Sequence, residues 1–173
     1  ARRKALTAFA SKHHGQVTYH DVGLADTDGE LSLGVTAALW DSSFAYHGAS
    51  SQMAKVRALD SLLADGAIPA PNFVKIDVQG FEHRVIDGGR KTLQGCDFVL
   101  MECAFYRFCA EMSRLDQTII FMSEAGFTPY EFVDFLRRPL DGAMGQCDIL
   151  FIRHDHAFLR DARWNSAQPR PKM

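Results

Sequence analysis

No stretch of this 173-residue sequence approaches the ~20 consecutive apolar residues that a membrane-spanning helix needs, and no secretory signal is visible. An excess of one charge is also missing. Lysine and arginine total 19 against 21 aspartates and glutamates, a net charge of -2, which leaves no basic groove for nucleic acid and no basic face for a membrane. Cysteine is sparse: Cys96, Cys103, Cys109 and Cys147, with no Cys-x-x-Cys pair to point to a metal site. Two of the four fall in strand-like stretches, so they read as reduced thiols in or near the core of a cytoplasmic protein. Neither an internal repeat nor a low-complexity segment is present. What remains is the length of one domain and a 47% hydrophobic content, enough for a sizeable core.

The chain is organised around residues 72–82, Asn-Phe-Val-Lys-Ile-Asp-Val-Gln-Gly-Phe-Glu. Val74, Ile76 and Val78 alternate with Phe73, Lys75 and Asp77, and apolar residues on both sides predict a central parallel strand covered on both faces. Gln79-Gly80 reads as a sharp turn, and Phe81, Val85 and Leu93 mark a helical stripe after it. Asp77 therefore lies at the carboxyl end of its strand, the edge where open α/β sheets bind ligands. An acid there is either functional or held by Lys75, two residues back on the same face.

The flanking sequence completes an α/β pattern. Ala1 to His14 reads as a helix with Leu6, Phe9 and Ala10 on one face and Gly15 as its stop. Gln16 to Ala25 and Glu30 to Val35 read as two strands of a hairpin around Asp26-Thr27-Asp28-Gly29. Trp40 to Ser51 is a long loop that can cover a site, with Tyr46 and His47 as candidate substrate contacts. Asp60 to Leu63 reads as a short capped helix, and the helix from Phe81 to Leu93 is loosened at Gly88-Gly89. Asp97 to Cys103 is a second buried strand ending in an acid, Glu102. As the next strand of a βαβ unit it sets Glu102 about 5 Å from Asp77, with Glu82 facing the same edge from the first helical turn. An aromatic and polar loop from Tyr106 to Arg114 follows, then a helix from Leu115 to Ala125 with Ile119, Ile120 and Met122 inward. Thr128 to Arg138 and Cys147 to Arg153 pair antiparallel, because no helix fits between them. These elements place a domain over residues 1–153 and a frayed tail over 154–173.

Val74-Lys75-Ile76-Asp77-Val78-Gln79-Gly80-Phe81-Glu82, followed by Val85-Ile86-Asp87-Gly88, resembles the signature of FkbM family methyltransferases, with Gln79 where glutamate is commoner. Val22 to Asp26, Ala58 to Leu62, Leu100 to Glu102 and Gln146 to Phe151 resemble flanking pieces of the same family, so most of residues 15–153 is covered. The resemblance implies a Rossmann-like class I methyltransferase sheet, mostly parallel with a C-terminal antiparallel hairpin. It also implies transfer of a methyl group from S-adenosylmethionine to a hydroxyl of a sugar or secondary metabolite. Asp77, Glu82 and Glu102 are then the catalytic candidates: Asp77 takes the hydroxyl proton or holds the sulfonium, while the two glutamates polarise the acceptor or share a Mg²⁺. Gly23, Leu24, Asp77 and Val78 are the cofactor candidates, and Tyr106 joins Tyr46 and His47 on the acceptor side.

One part of that fold has no counterpart in the sequence. The glycine-rich turn after the first strand and the acid after the second are missing, and the matching residues would lie upstream of Ala1. Two strands are therefore expected to be absent, and residues 1–173 alone are expected to bind S-adenosylmethionine weakly. The alternative is a non-catalytic α/β domain that binds a carbohydrate or a protein partner at the same strand-end edge.

Overall fold

The computed structural model describes residues 2–35, 42–45 and 50–165, and within them the chain is a mixed α/β protein with two sheets. The first sheet has the order β1 (Gly23–Leu24), β3 (Ser50–Arg57), β2 (Gly29–Val35). β1 runs parallel to β3, and β2 runs antiparallel to it. The expected hairpin over residues 16–35 is therefore not formed, because β3 lies between its two arms. β3 itself was hidden in sequence by Ser50-Ser51-Gln52, a polar start that reads as loop.

The second sheet has the order β4 (Phe73–Ile76), β5 (Phe98–Ala104), β7 (Met144–Arg153), β6 (Phe127–Arg137). Only β4 and β5 pair in parallel; β5–β7 and β6–β7 are antiparallel. β4, β5 and β6 therefore run the same way and β7 alone runs against them, inserted between β5 and β6, so the expected mostly parallel sheet with a C-terminal antiparallel β6–β7 hairpin is formed. β4 is also an edge strand among the described residues, not a central one: Phe73 is 48% exposed, and Lys75 points to solvent beside it.

Helices cover one face of this sheet. α3 (Glu82–Asp87) and α4 (Arg90–Gln94) follow β4, and α5 (Leu115–Glu124) precedes β6. Val85, Ile86, Leu93 and Met122 pack with Val99, Met101, Cys103, Cys147, Ile149 and Phe151 in one core. Residues at i and i+2 of β5 and β7 share that buried face, the period-2 signature of strands. Ile120 departs from the sequence reading: it is 62% exposed, and Thr118 and Met122 make the inward face of α5 instead. In α1 (Arg2–Lys12), Leu6 and Phe9 likewise stay about half exposed, at 48% and 54%. All four cysteines are free, with Cys96, Cys103 and Cys147 buried. The segment after Arg153 begins packed: His156 and Phe158 lie against Phe98, at ring-centroid distances of 5.1 and 6.1 Å. Among the described residues no helix is long and apolar enough to cross a membrane.

Asp60 caps a helix, but not its own. α2 (Leu59–Ala64) starts at Ala58 without a side-chain cap. The Asp60 carboxylate instead accepts from the Lys91 and Thr92 amides of α4, at 3.1 and 2.7 Å, and from the Thr92 hydroxyl at 2.7 Å. Burial raises its pKa, but these bonds outweigh that and leave it below the ordinary value. Asp60→Ala is expected to cost about 1–2 kcal/mol, as loss of a helix cap does. The carboxyl binds protons less readily folded than unfolded. Its contribution is thus full above its unfolded pKa and fades in acid. Denaturant melts at pH 7 and at about pH 3 check both: the wild-type advantage should shrink at the lower pH.

Candidate active site

The site forms where β4 and β5 end. Ile76 pairs with Met101, so the next residues, Asp77 and Glu102, lie side by side, and Glu102 pairs with Asp148 on β7. Asp134 on β6 is opposite Asp148 in turn. Four carboxylates thus cross the sheet on its open face.

The turn after β4 has an unusual backbone. Gln79 has φ 55° and Gly80 φ 96°, both left-handed. Gly80 is also closely enclosed: a Cβ would sit 3.2 Å from Cys109 Sγ and 3.3 Å from Met112 Cε, so these side chains would have to give slightly. Glu82 holds this turn closed. Its Oε1 accepts from the Gly80 amide at 2.9 Å and from the Val78 amide at 3.4 Å. Burial pushes the Glu82 carboxyl up, and the backbone bonds oppose that.

Asp77 is paired with Lys75, Nζ to Oδ2 2.9 Å, and accepts from Gln79 Nε2 on Oδ1 at 3.0 Å. Burial raises its pKa, but these two partners more than offset it and leave the carboxyl below its ordinary value. Glu102 is the opposite case. Burial first, then the negative charges of Asp77, Glu82 and Asp148, push it up to about 7. Its Oε1 accepts from Gln146 Nε2 at 2.5 Å and from Gln79 Nε2 at 3.4 Å. Two neighbouring carboxyls with pKa values driven apart are the arrangement that lets one stay ionised while the other accepts or gives a proton near neutrality.

Sequence reasoning missed His83. Between two charged neighbours it reads as a solvated helix position, and nothing in its spacing marks it out. In the fold its ring stacks on Phe121, centroids 4.0 Å apart at 7°. Its Nδ1 lies 3.2 Å from the Ser113 hydroxyl and its Nε2 3.3 Å from that of Thr118. Burial lowers its pKa, so a neutral imidazole joins the signature helix to the loop after β5. His83, Glu82 and Glu102 line one small polar cavity with Ser113 and Thr118.

The remaining sequence candidates are dispersed. Gly23 lies on β1, where Phe44 covers it: a Cβ there would be 2.6 Å from that ring. Leu24 packs against the main core. Val78 has both backbone groups engaged, its amide by Glu82 and its carbonyl by the Ser43 hydroxyl at 3.1 Å, which ties the two sheets together. Beside that tie a cleft opens between Phe44, Phe81, Leu31 and Asp26. Tyr106 is exposed after β5, with the Arg138 guanidinium 4.0 Å above its ring. Tyr46 and His47 lie outside the described residues. No group of three His, Cys, Asp or Glu side chains among the described residues is arranged to hold a metal ion.

A family model described as the methyltransferase FkbM domain matches residues 1–129. The chain is 30% identical over 97 residues to the hexuronic acid methyltransferase AglP of Haloferax volcanii, an alignment covering 56% of this chain and 41% of that protein. The chain thus spans about two fifths of the length of this curated relative. No solved structure gives a match.

Proposed function

The chain belongs to the methyltransferase FkbM domain family, and from that premise we propose that it serves S-adenosylmethionine-dependent methylation of a hydroxyl on an acidic sugar. The observation that carries this reading is the Asp77–Glu102 pair at the strand ends, one carboxyl held low and the other raised to about 7. The cofactor supplies a methyl group on a neutral leaving group, so the protein's work is alignment and proton removal. Glu102 takes the acceptor hydroxyl's proton. Asp77 stays ionised beside it, and Glu82 keeps the intervening turn in shape.

The residues present fit the cofactor in part. The cleft of Phe44, Phe81 and Leu31, with Asp26 paired to Arg84 at its rim, offers an aromatic wall in the cluster against which Val78 packs. None of the described strands is followed by a glycine-rich turn that would cradle the cofactor's polar groups. That observation is what favours the alternative, a domain that binds a carbohydrate or protein without turning it over. The acidic-sugar assignment draws on the relative's hexuronic acid and on Arg107. This exposed guanidinium lies in the loop after β5, next to Tyr106, and is held by Gln117 at 3.2 Å rather than by an acid.

In this reading residues 1–153 are part of one class I methyltransferase domain, with β4-β5-β7-β6 as one half of its sheet and 154–173 as a tail. Its free thiols suit a reducing, cytoplasmic setting. The test is transfer of labelled methyl from S-adenosylmethionine to oligosaccharides with and without hexuronic acid. Methylation confined to uronate-containing acceptors is the expected result. Binding of those glycans with no transfer, by a chain that calorimetry shows to bind S-adenosylmethionine, would support the non-catalytic reading instead.

A further inference from the structure

Gln79 is the one non-glycine residue among those described that has a positive φ, at 55°. Glycine, and to a lesser degree asparagine and aspartate, adopt that backbone readily; glutamine does so only when its surroundings require it. Its side chain shows what is required. The single nitrogen Nε2 lies 3.0 Å from Asp77 Oδ1 and 3.4 Å from Glu102 Oε1. A primary amide carries two hydrogens and no charge, so it can donate one to each carboxylate. The other contacts leave this position to Gln79. Lys75 occupies Asp77 Oδ2, and Gln146 approaches Glu102 Oε1 from β7. Among the described residues nothing donates to Glu102 Oε2, so that oxygen is left for a reacting group.

We propose that Gln79 is a positioning residue: its amide clamps Asp77 to Glu102, and the left-handed turn is the device that aims it between them. The clamp fixes which Glu102 oxygen is held and which one faces outward. Its link to catalysis rests on the role given to Glu102 above; the clamp itself does not. The groups that face Glu102 are Asp77 and Lys75 from β4, Glu82 from α3, and Asp148 from β7, with Asp134 of β6 behind it. Of these only Lys75 is cationic, and it is spent on Asp77.

Three variants separate the clamp from mere support of the turn. Gln79→Met keeps the length and the backbone strain but removes both donors. Gln79→Gly removes the donors and relaxes the backbone. Gln79→Glu keeps the length and replaces the donors with a charge. The first readout is the titration of Glu102, followed by ¹³C NMR of labelled side-chain carboxyls, which needs no turnover. Its midpoint is expected to rise by roughly one pH unit in Gln79→Met and Gln79→Gly alike, and further in Gln79→Glu. Gln79→Gly should meanwhile melt no lower than wild type, because glycine suits the turn. A Glu102 midpoint unchanged in Gln79→Met overturns the clamp. The second readout is the pH dependence of methyl transfer, whose acid limb is expected to move with the midpoint. If the midpoint moves and the acid limb does not, the clamp stands and Glu102 is not the proton acceptor.

Discussion

Glu102→Gln is expected to lower the rate of methyl transfer by about 10²- to 10⁴-fold, the usual span for loss of a general base, while leaving the fold intact or firmer. The rate loss follows because an amide accepts hydrogen bonds but cannot take the acceptor's proton. The intact fold follows from the partners: Gln146 and Gln79 still have an oxygen to donate to. The pH dependence separates the two effects. The folded pKa of Glu102 is raised to about 7 from an ordinary 4.5. Between those values the native state keeps a proton that the unfolded state has lost, so stability falls as pH rises through that window and is level above it. In Glu102→Gln this slope should flatten, making the variant relatively more stable at pH 8 than at pH 5. Melting curves at the two pH values and single-turnover rates at pH 8 measure both. Retention of more than about a tenth of the wild-type rate would remove Glu102 from proton transfer.

The largest stability effect is expected at Gly88. A Cβ at that position would overlap the carbonyl oxygen of Ala25 and lie 2.9 Å from Asp26 Cα and 3.0 Å from Ala25 C. These are backbone atoms in a tight junction: the Ala25 amide donates to Arg57 O at 3.0 Å, and Gly88 O accepts from the Asp60 amide at 2.9 Å. Nothing there can rotate away. The Gly88 backbone itself is ordinary, φ -73°, so the penalty is steric alone. Gly88→Ala is expected to cost more than about 3 kcal/mol, at or above the upper end of core overpacking, and to lower Tm by roughly 10 °C. Gly95→Ala is the control. It also ends a short helix with ordinary backbone, but its Cβ would meet only Thr92 O at 3.7 Å. It should stay within about 0.5 kcal/mol of wild type, as benign surface changes do. Equal melting of the two variants would show that the end of α3 and the segment after β1 are not in such contact.

Much of this was legible in the sequence because it is local. The strand-turn-helix at residues 73–87 has an apolar run, a glycine and an acid in consecutive positions, and the βαβ rule then places Asp77 beside Glu102. The four-residue turn at Pro139–Gly142 likewise marks the β6–β7 hairpin. What stayed hidden depends on partners far away in the chain. β3 starts with Ser50-Ser51-Gln52 and is exposed over its first four residues, so its alternation carries little signal. Asp60 looks like the cap of the helix that contains it, and only the packing of α2 on α4 redirects it to Thr92. Gly88-Gly89 reads as a weak point in a helix, whereas the fold uses it to let two backbones touch. His83 gains its meaning from Ser113, Thr118 and Phe121, some 30 to 38 positions on.

The insertion of β7 between β5 and β6 has a consequence for the order in which this protein is made. Until residues 144–153 leave the ribosome, β5 has only β4 beside it and β6 has no strand at all. At a synthesis rate of roughly 5–20 residues per second, the stretch from the end of β5 to the end of β7 takes several seconds to appear. Throughout that time Val99, Met101 and Cys103 wait for Phe151, Ile149 and Cys147, their register partners in the core. The final described strand is thus the keystone of the larger sheet. The nascent chain is at its most adhesive just before β7 emerges, when two open strand edges await a single newcomer.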